Sequence, residues 1–299
     1  MIRYRKIGYI ALNVTDLARS RRFYQDIVGL QPNGEGPDGS ALFRLDAAHH
    51  SIMLYPAAQA GVKRFAFQLE NDAQFDVLAR ALDTHGIALR EVDRAECDAL
   101  GQGRSVRFTD PYSGATWECY ASMREEATPF VPSVVPFDRL GHIVLRTDRF
   151  DEAIDFYCGT LNFRLSDKVV GQIAFMRCFP NKYHHMLAVA KSARPGLHHV
   201  NLMVPSIDDW GRCVARLARQ NIDVVWGPGR HTNAGTFFVY YLDPDGLTLE
   251  YGFSMEEFPE VGAREARVRP PGHESVDLWD SRIDPRTCAA GEIETLASS

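Results

Sequence analysis

No run of apolar residues in this chain approaches the ~18–20 uninterrupted positions that a membrane-spanning helix needs, so the sequence predicts no helical membrane anchor. Cysteine pairing is missing too: Cys97, Cys119, Cys158, Cys178, Cys213 and Cys288 are scattered, with no CxxC among them. They read as reduced thiols in a cytoplasmic protein rather than as a disulfide framework. The stretch Met1–Val14 has basic residues but neither an apolar h-region nor a small-residue cleavage site, so no signal peptide is expected. An excess of positive charge is also absent. Lys and Arg number 33 against 39 Asp and Glu, a formal net charge of −6, which argues against a nucleic-acid-binding surface. What is present is ordinary for a folded protein: 299 residues, 45% hydrophobic and 24% charged. That rules out disorder and suggests about two domains, each large enough to bury a core.

The chain repeats itself. Gly8-Tyr9-Ile10-Ala11-Leu12 and Gly141-His142-Ile143-Val144-Leu145 are strand-like, and Arg22-Phe23-Tyr24 and Asp155-Phe156-Tyr157 follow at the same offset of 133 residues. Asp110-Pro111-Tyr112-Ser113-Gly114 and Asp243-Pro244-Asp245-Gly246 begin at that offset as well. Each is a turn signal before a short strand that carries a glutamate, Glu118 or Glu250. Such register over a hundred residues indicates a duplicated module. Within each copy, a strand, an amphipathic helix and further strands occur twice. Helices are expected over Ala73 to His85, with Phe75, Leu78 and Leu82 on one face, and over Asp208 to Gln220, with Trp210, Val214 and Leu217. The boundaries that follow are residues 1–127, a proline-bearing linker at 128–138, a second module at 139–253 and an extended tail at 254–299.

The copies differ in chemistry. Where the second has His142 and His199, the first has Tyr9 and Ala66. His142, His199 and Glu250 are polar groups in apolar strands, where burial without a partner costs a few kcal/mol each. Two neutral imidazoles and one carboxylate form the facial set that holds divalent iron with positions left open, and the lack of thiolates disfavours structural zinc. The His49-His50 pair of the first copy has no such set beside it and is expected at the surface.

The run Gly229-Arg230-His231, then Val239-Tyr240-Tyr241-Leu242-Asp243-Pro244-Asp245-Gly246, then Glu250, resembles the signature of type I extradiol ring-cleavage dioxygenases. These belong to the vicinal oxygen chelate superfamily. Arg139-Leu140-Gly141-His142 and Gly196-Leu197-His198-His199-Val200 resemble the same family's ligand strands. The resemblance implies an α+β fold of two tandem modules, each of paired βαβββ units, with the metal in the C-terminal one. It implies His142, His199 and Glu250 as ligands of Fe(II), with Mn(II) also accepted by such a set, and His199 rather than His198 as the second ligand. It implies catalytic roles for His185 as acid–base, His231 as a hydrogen-bonding partner of substrate or oxygen, and Tyr240 as a donor to the catechol oxygen. Asp243, Pro244 and Gly246 belong to the turn. The implied reaction is meta cleavage of a substituted catechol by insertion of both atoms of O2, in aromatic catabolism, by a cytoplasmic homo-oligomer that meets neither nucleic acid nor membrane. If Trp226 and Val144 line the pocket, an alkyl or aryl substituent is favoured, while Arg230 is an exposed loop arginine by default. Three other readings share these modules. A glyoxalase-like isomerase draws ligands from both modules, against which Tyr9 and Ala66 count. A metal-free binding or resistance protein has no use for the ligand set. A 4-hydroxyphenylpyruvate-type dioxygenase shares that set but not the Gly-x-His…Tyr…Glu run.

Overall fold

In the computed structural model, which describes residues 1–295, the apolar alternation of the strands resolves into two sheets. The first contains β1 (Tyr4–Val14), β2 (Gln31–Glu35), β3 (Ala41–Arg44), β4 (Ile52–Pro56), β5 (Gly61–Leu69), β6 (Arg90–Glu91), β7 (Ser105–Thr109) and β8 (Thr116–Tyr120). The second contains β9 (Arg139–Thr147), β10 (Phe163–Val169), β11 (Ile173–Cys178), β12 (Leu187–Lys191), β13 (Gly196–Val204), β14 (Val224–Arg230), β15 (Phe237–Leu242) and β16 (Thr248–Phe253). The orders are β2-β3-β4-β1-β5-β8-β7-β6 and, in the same sense, β10-β11-β12-β9-β13-β16-β15-β14. In both, the first and fifth strands pair antiparallel at the centre, and each has a parallel partner on its other side. Every half-sheet is therefore one βαβββ unit, and the paired-unit architecture expected from the sequence is present twice.

The helices fall where the apolar spacing requires. One spans Ala73–Asp83 and buries Phe75, Leu78 and Leu82. The other spans Ile207–Arg219, buries Trp210, Cys213 and Leu217, and starts at Ser206, whose side chain accepts from the Asp209 amide as an N-cap. Because side chains alternate across a strand, Ile143, Leu145, Val200, Leu202, Leu249 and Tyr251 enter a core shared by both halves. His142, His199, Glu250 and Tyr240 point to the opposite face. No helix is long and apolar enough to cross a membrane among the described residues.

The two copies lock together through their own repeated landmarks. The Tyr24 hydroxyl of the first donates to Asp243 Oδ2 of the second at 3.1 Å, and the Tyr157 hydroxyl of the second donates to Asp110 of the first. Each aspartate also holds its own turn: Asp243 accepts from the amides of Asp245 and Leu247, Asp110 from that of Tyr112. So Asp243 is a turn residue, as expected, and an interface residue besides.

The segment after Phe253 is not an extended tail. Residues Arg267–Arg269 add a parallel strand, β17, to β10 at the edge of the second sheet. Glu292–Ile293, β18, pairs with β5 of the first sheet, while the Gly291 carbonyl accepts from the Leu197 amide of the second. The edge of the second sheet captures β17, and the start of the central strand β5, beyond the reach of β8, captures β18, a long-range match that local composition does not reveal.

Burial pushes the Asp243 carboxyl up to about 7, outweighing the amides that favour its charge. A carboxyl whose folded value is raised contributes stability below its unfolded value near 4, and that contribution is lost as pH rises through about 7. Asp243→Asn keeps the oxygen that accepts from the Asp245 and Leu247 amides, turns an N–H toward the Tyr24 hydroxyl in place of Oδ2, and removes the titration. Its melting temperature relative to the wild type is therefore expected to move upward between pH 5 and pH 8, by several degrees for a term of a few kcal/mol. Parallel melting curves across that range would contradict the assignment.

Candidate active site

Strands β9, β13 and β16 are neighbours, and their registers set His142 and Glu250 each opposite Asn201 of β13. His142 Nε2 and His199 Nε2 lie 3.0 Å apart, and each is 3.2 Å from Glu250 Oε2. All three residues are buried, Glu250 completely. Neither oxygen of Glu250 has a hydrogen-bond partner, and among the described residues no Lys or Arg pairs with it. Burial holds His142 down to about 4 and lowers His199 as well, so both rings are neutral. Burial opposes the ionisation of Glu250, yet the ring nitrogens of His142 and His199 turned toward it hold its pKa well below the usual range. An ionised carboxylate with only neutral neighbours lacks a cation. The three edges of 3.0–3.2 Å match the ~3 Å separation of adjacent donors around an ion with bonds of ~2.0–2.2 Å. These donors therefore fit a divalent metal.

A cavity of about 410 Å³ opens onto this set. At its polar end are His142, His185, His199, His231 and Tyr240, and its walls include Ile173, Phe175, Trp226 and Val276. The ring of His185 lies 4.2 Å from that of His142, centroid to centroid. His231 Nδ1 donates to the Val276 carbonyl at 2.8 Å, which leaves its Nε2 to accept from the Tyr240 hydroxyl at 3.1 Å. Every sequence-selected site residue is thus in one place. Trp226 lines the cavity. Val144 does not; it packs beneath with Phe175, Ala188 and Ala190. Arg230 stacks on Phe237, outside the cavity lining.

Adjacent histidines behave alike at three places. His198 and His199 approach through their Nδ1 atoms at 2.7 Å, His184 and His185 at 3.0 Å, His49 and His50 at 3.1 Å. The expectation that His49 and His50 lie at the surface is wrong: they are 5% and 0% exposed, with His50 against Tyr9 as His185 is against His142. Burial came from the duplicated fold, which a two-residue motif does not encode. His184 is also buried, bonded to Asp167. Asp167, His184 and the cavity-lining His198 and Arg146 were not singled out as site residues, because no local motif joins them.

The first copy fills the equivalent place with its own cations. Glu118 is fully buried, and Arg107 Nε donates to it at 2.7 Å, with Gln102 Nε2 at 3.0 Å and Arg64 Nε at 3.5 Å. Arg64 also donates to the Tyr9 hydroxyl. Tyr9, Ala11, Leu42, Met53, Tyr55 and Ala66 pack this face into a small core.

Two stretches, residues 6–119 and 139–251, match the family model described as Glyoxalase/Bleomycin resistance protein/Dioxygenase superfamily. The chain belongs to that superfamily. A biphenyl-2,3-diol 1,2-dioxygenase of Metapseudomonas furukawaii is 30% identical to it over 291 residues, covering 92% of each chain. An iron-dependent extradiol dioxygenase of Rhodococcus jostii (strain RHA1) is 27% identical, covering 92% of this chain and 96% of its own. The crystal structure of a Mn(II)-bound glyoxalase from Novosphingobium aromaticivorans is similar at a TM-score of 0.86 and 27% identity, over 98% of this chain and 97% of that one.

Replacing Arg107 by Leu leaves Glu118 with its more distant arginine only. Breaking a buried ion pair in this way is expected to cost about 3 kcal/mol or more, read by urea unfolding, while divalent-metal binding by the folded protein is unchanged. Loss of metal binding with stability intact would mean that the first copy also carries the metal function.

Proposed function

We propose that the protein is an extradiol ring-cleavage dioxygenase that opens a substituted catechol beside its two hydroxyls and adds both atoms of O2. The observation that carries this reading is the His142–His199–Glu250 set at the end of a walled cavity, in the one copy that lacks a buried arginine there. Fe(II) is the metal assigned, since two imidazoles and a carboxylate suit it and leave open positions; Mn(II) suits the same donors. When bound, the ion supplies positive charge that favours an ionised catechol oxygen and an electron path between ring and oxygen.

The chain's own residues supply the rest. His185 Nε2 takes a catechol proton, within reach because its ring lies against that of His142, and a neutral imidazole is suited to accept and return it. His231, fixed through Nδ1 on the Val276 carbonyl, holds the Tyr240 hydroxyl beside the place of the substrate oxygens, and Tyr240 becomes a donor to them by turning its hydrogen from His231 Nε2. Ile173, Phe175 and Trp226 give the ring and its substituent an apolar seat, favouring alkyl- or aryl-substituted catechols over carboxylated ones. The glyoxalase-like reading is weaker, because Tyr9 and Ala66 offer no metal donors and Glu118 is already paired with arginines. A metal-free binding protein would bear the cost of Glu250 buried without a cation. Six unpaired cysteines suit a reducing compartment, and the reading assigns the cytoplasm.

Anaerobic loading with Fe(II), followed by 3-methylcatechol, 2,3-dihydroxybiphenyl and a carboxylated catechol, tests the reaction. A yellow ring-opened product with one O2 consumed per catechol is expected, fastest for the first two. Bound iron with neither colour nor oxygen uptake would overturn it. His199→Ala is expected to lose both iron and activity, and full iron occupancy in that variant would remove His199 from the ligand set. His185→Phe should keep the metal and lose 10²- to 10⁴-fold in kcat.

A further inference from the structure

Resting on that reading, we infer that Asp167 and His184 are positioning residues that hold His185 in the one tautomer able to accept a proton from the substrate. The argument is a count of hydrogens along a buried chain. Asp167, on β10, is fully buried, and its charge is secured by two arginines. Arg264 Nη1 donates to Oδ1 at 3.0 Å, while Arg267 donates from Nε to Oδ1 at 2.9 Å and from Nη2 to Oδ2 at 2.7 Å. An ionised carboxylate only accepts. The contact of 3.0 Å between Asp167 Oδ2 and His184 Nε2 therefore places a hydrogen on that nitrogen.

A neutral imidazole carries one ring hydrogen, so His184 Nδ1 is bare. It lies 3.0 Å from His185 Nδ1, and this second contact is a hydrogen bond only if His185 Nδ1 carries the hydrogen. His185 Nε2 is then the bare nitrogen. Among the described residues no hydrogen bond takes it up, and His185 is part of the cavity wall. Two hydrogen bonds from Asp167 thus fix a lone pair facing the substrate. The same chain sets a negative charge behind the ring that becomes positive on accepting the catechol proton.

Two further observations fit this role. The three ligating groups Asp167, His184 and Glu256 could themselves suggest a metal site, but Arg264 and Arg267 bridge Asp167 and Glu256 and already supply the cations. The other observation is the contrast with the first copy. There His49 and His50 keep the Nδ1–Nδ1 contact, but the outer His49 meets only Glu126, 3.8 Å away, and no arginine-clamped aspartate anchors the pair. The relay is complete only where the ligand set is. It also gives the C-terminal segment a purpose, since both arginines come from it.

Full-length protein labelled with ¹⁵N-histidine, in metal-free form, reads the tautomer directly. In the wild type, His185 is expected to show a protonated Nδ1 and a bare Nε2. Asp167→Asn, whose amide can donate to His184, should reverse both rings. The iron-loaded variant should keep its iron and its KM and lose 10²- to 10⁴-fold in kcat; Asp167→Glu should restore the tautomer and most of the rate. If Asp167→Asn fails to fold, His184→Phe removes the acceptor without exposing a charge, and its kcat should fall at least tenfold with iron retained. A wild-type His185 protonated at Nε2, or a folded and iron-loaded variant within twofold of wild-type kcat, overturns the inference. Absence of catechol cleavage by the wild type would instead fall on the proposed function, with the spectrum still deciding the tautomer.

Discussion

A carboxylate buried in the middle of a sheet must find a positive partner, and the two copies of this fold meet that demand in different ways. Glu118 takes Arg107 and Arg64 from its own sheet. Glu250 has no side-chain cation; its nearest neighbours are imidazoles that burial keeps neutral. The difference decides which copy has room for an exchangeable ion. A guanidinium is permanent and fills its site with carbon and nitrogen, whereas an exchangeable ion brings open positions. The Tyr9 ring and the Ala66 methyl complete the closure of the first copy, and the same backbone positions in the second carry the donors.

The copy whose carboxylate is paired with arginines is not thereby dispensable. Tyr24 reaches the turn of the second module and Tyr157 reaches that of the first, so each module's Asp-Pro turn is held by the other's helix-end tyrosine. Asp243 begins the turn that leads into β16, the strand bearing Glu250. Positioning of the carboxylate is therefore tied, through one buried hydrogen bond, to the copy that has no donors of its own. Gly291 and Glu292, bonded to Leu197 and Ala60 respectively, tie β13 and its histidines to the first sheet in a similar way.

Much of this was legible in the sequence because duplication prints itself in register: the strands, the helices and the asymmetry at Tyr9/His142 and Ala66/His199 need only an offset. The choice between His198 and His199 needed more. Strand alternation alone allows one of two neighbours to face the site, but β13 has a register shift between Leu197 and His199, a bulge that adds one residue and resets the facing. Family resemblance selected His199, and it is His199 Nε2 that lies beside His142 and Glu250. The Asp167–His184 bond and the arginine clamp were invisible for another reason. The bond joins residues 17 apart on no shared period, and the clamp joins positions about a hundred residues apart, by a segment laid along a sheet edge that no local period marks.

The paired histidines show how one local device gives opposite results. Adjacent rings joined through Nδ1 share one hydrogen, so the state of one outer nitrogen dictates the other. Where Asp167 anchors His184, the outer nitrogen there must be N–H, and the chain ends in a bare Nε2 on His185. In the proposed reading a cation anchors His199, whose Nε2 must then be bare; its Nδ1 carries the hydrogen, His198 Nδ1 accepts it at 2.7 Å, and the chain ends in an N–H on His198. Both ends belong to the same cavity wall. An anion behind one pair and a cation behind the other thus furnish an acceptor and a donor around a single substrate, with no group required to be charged itself. Given the proposed metal, that division follows from hydrogen counting and makes the sign of the anchoring charge, rather than the histidines themselves, the determinant of what each pair offers.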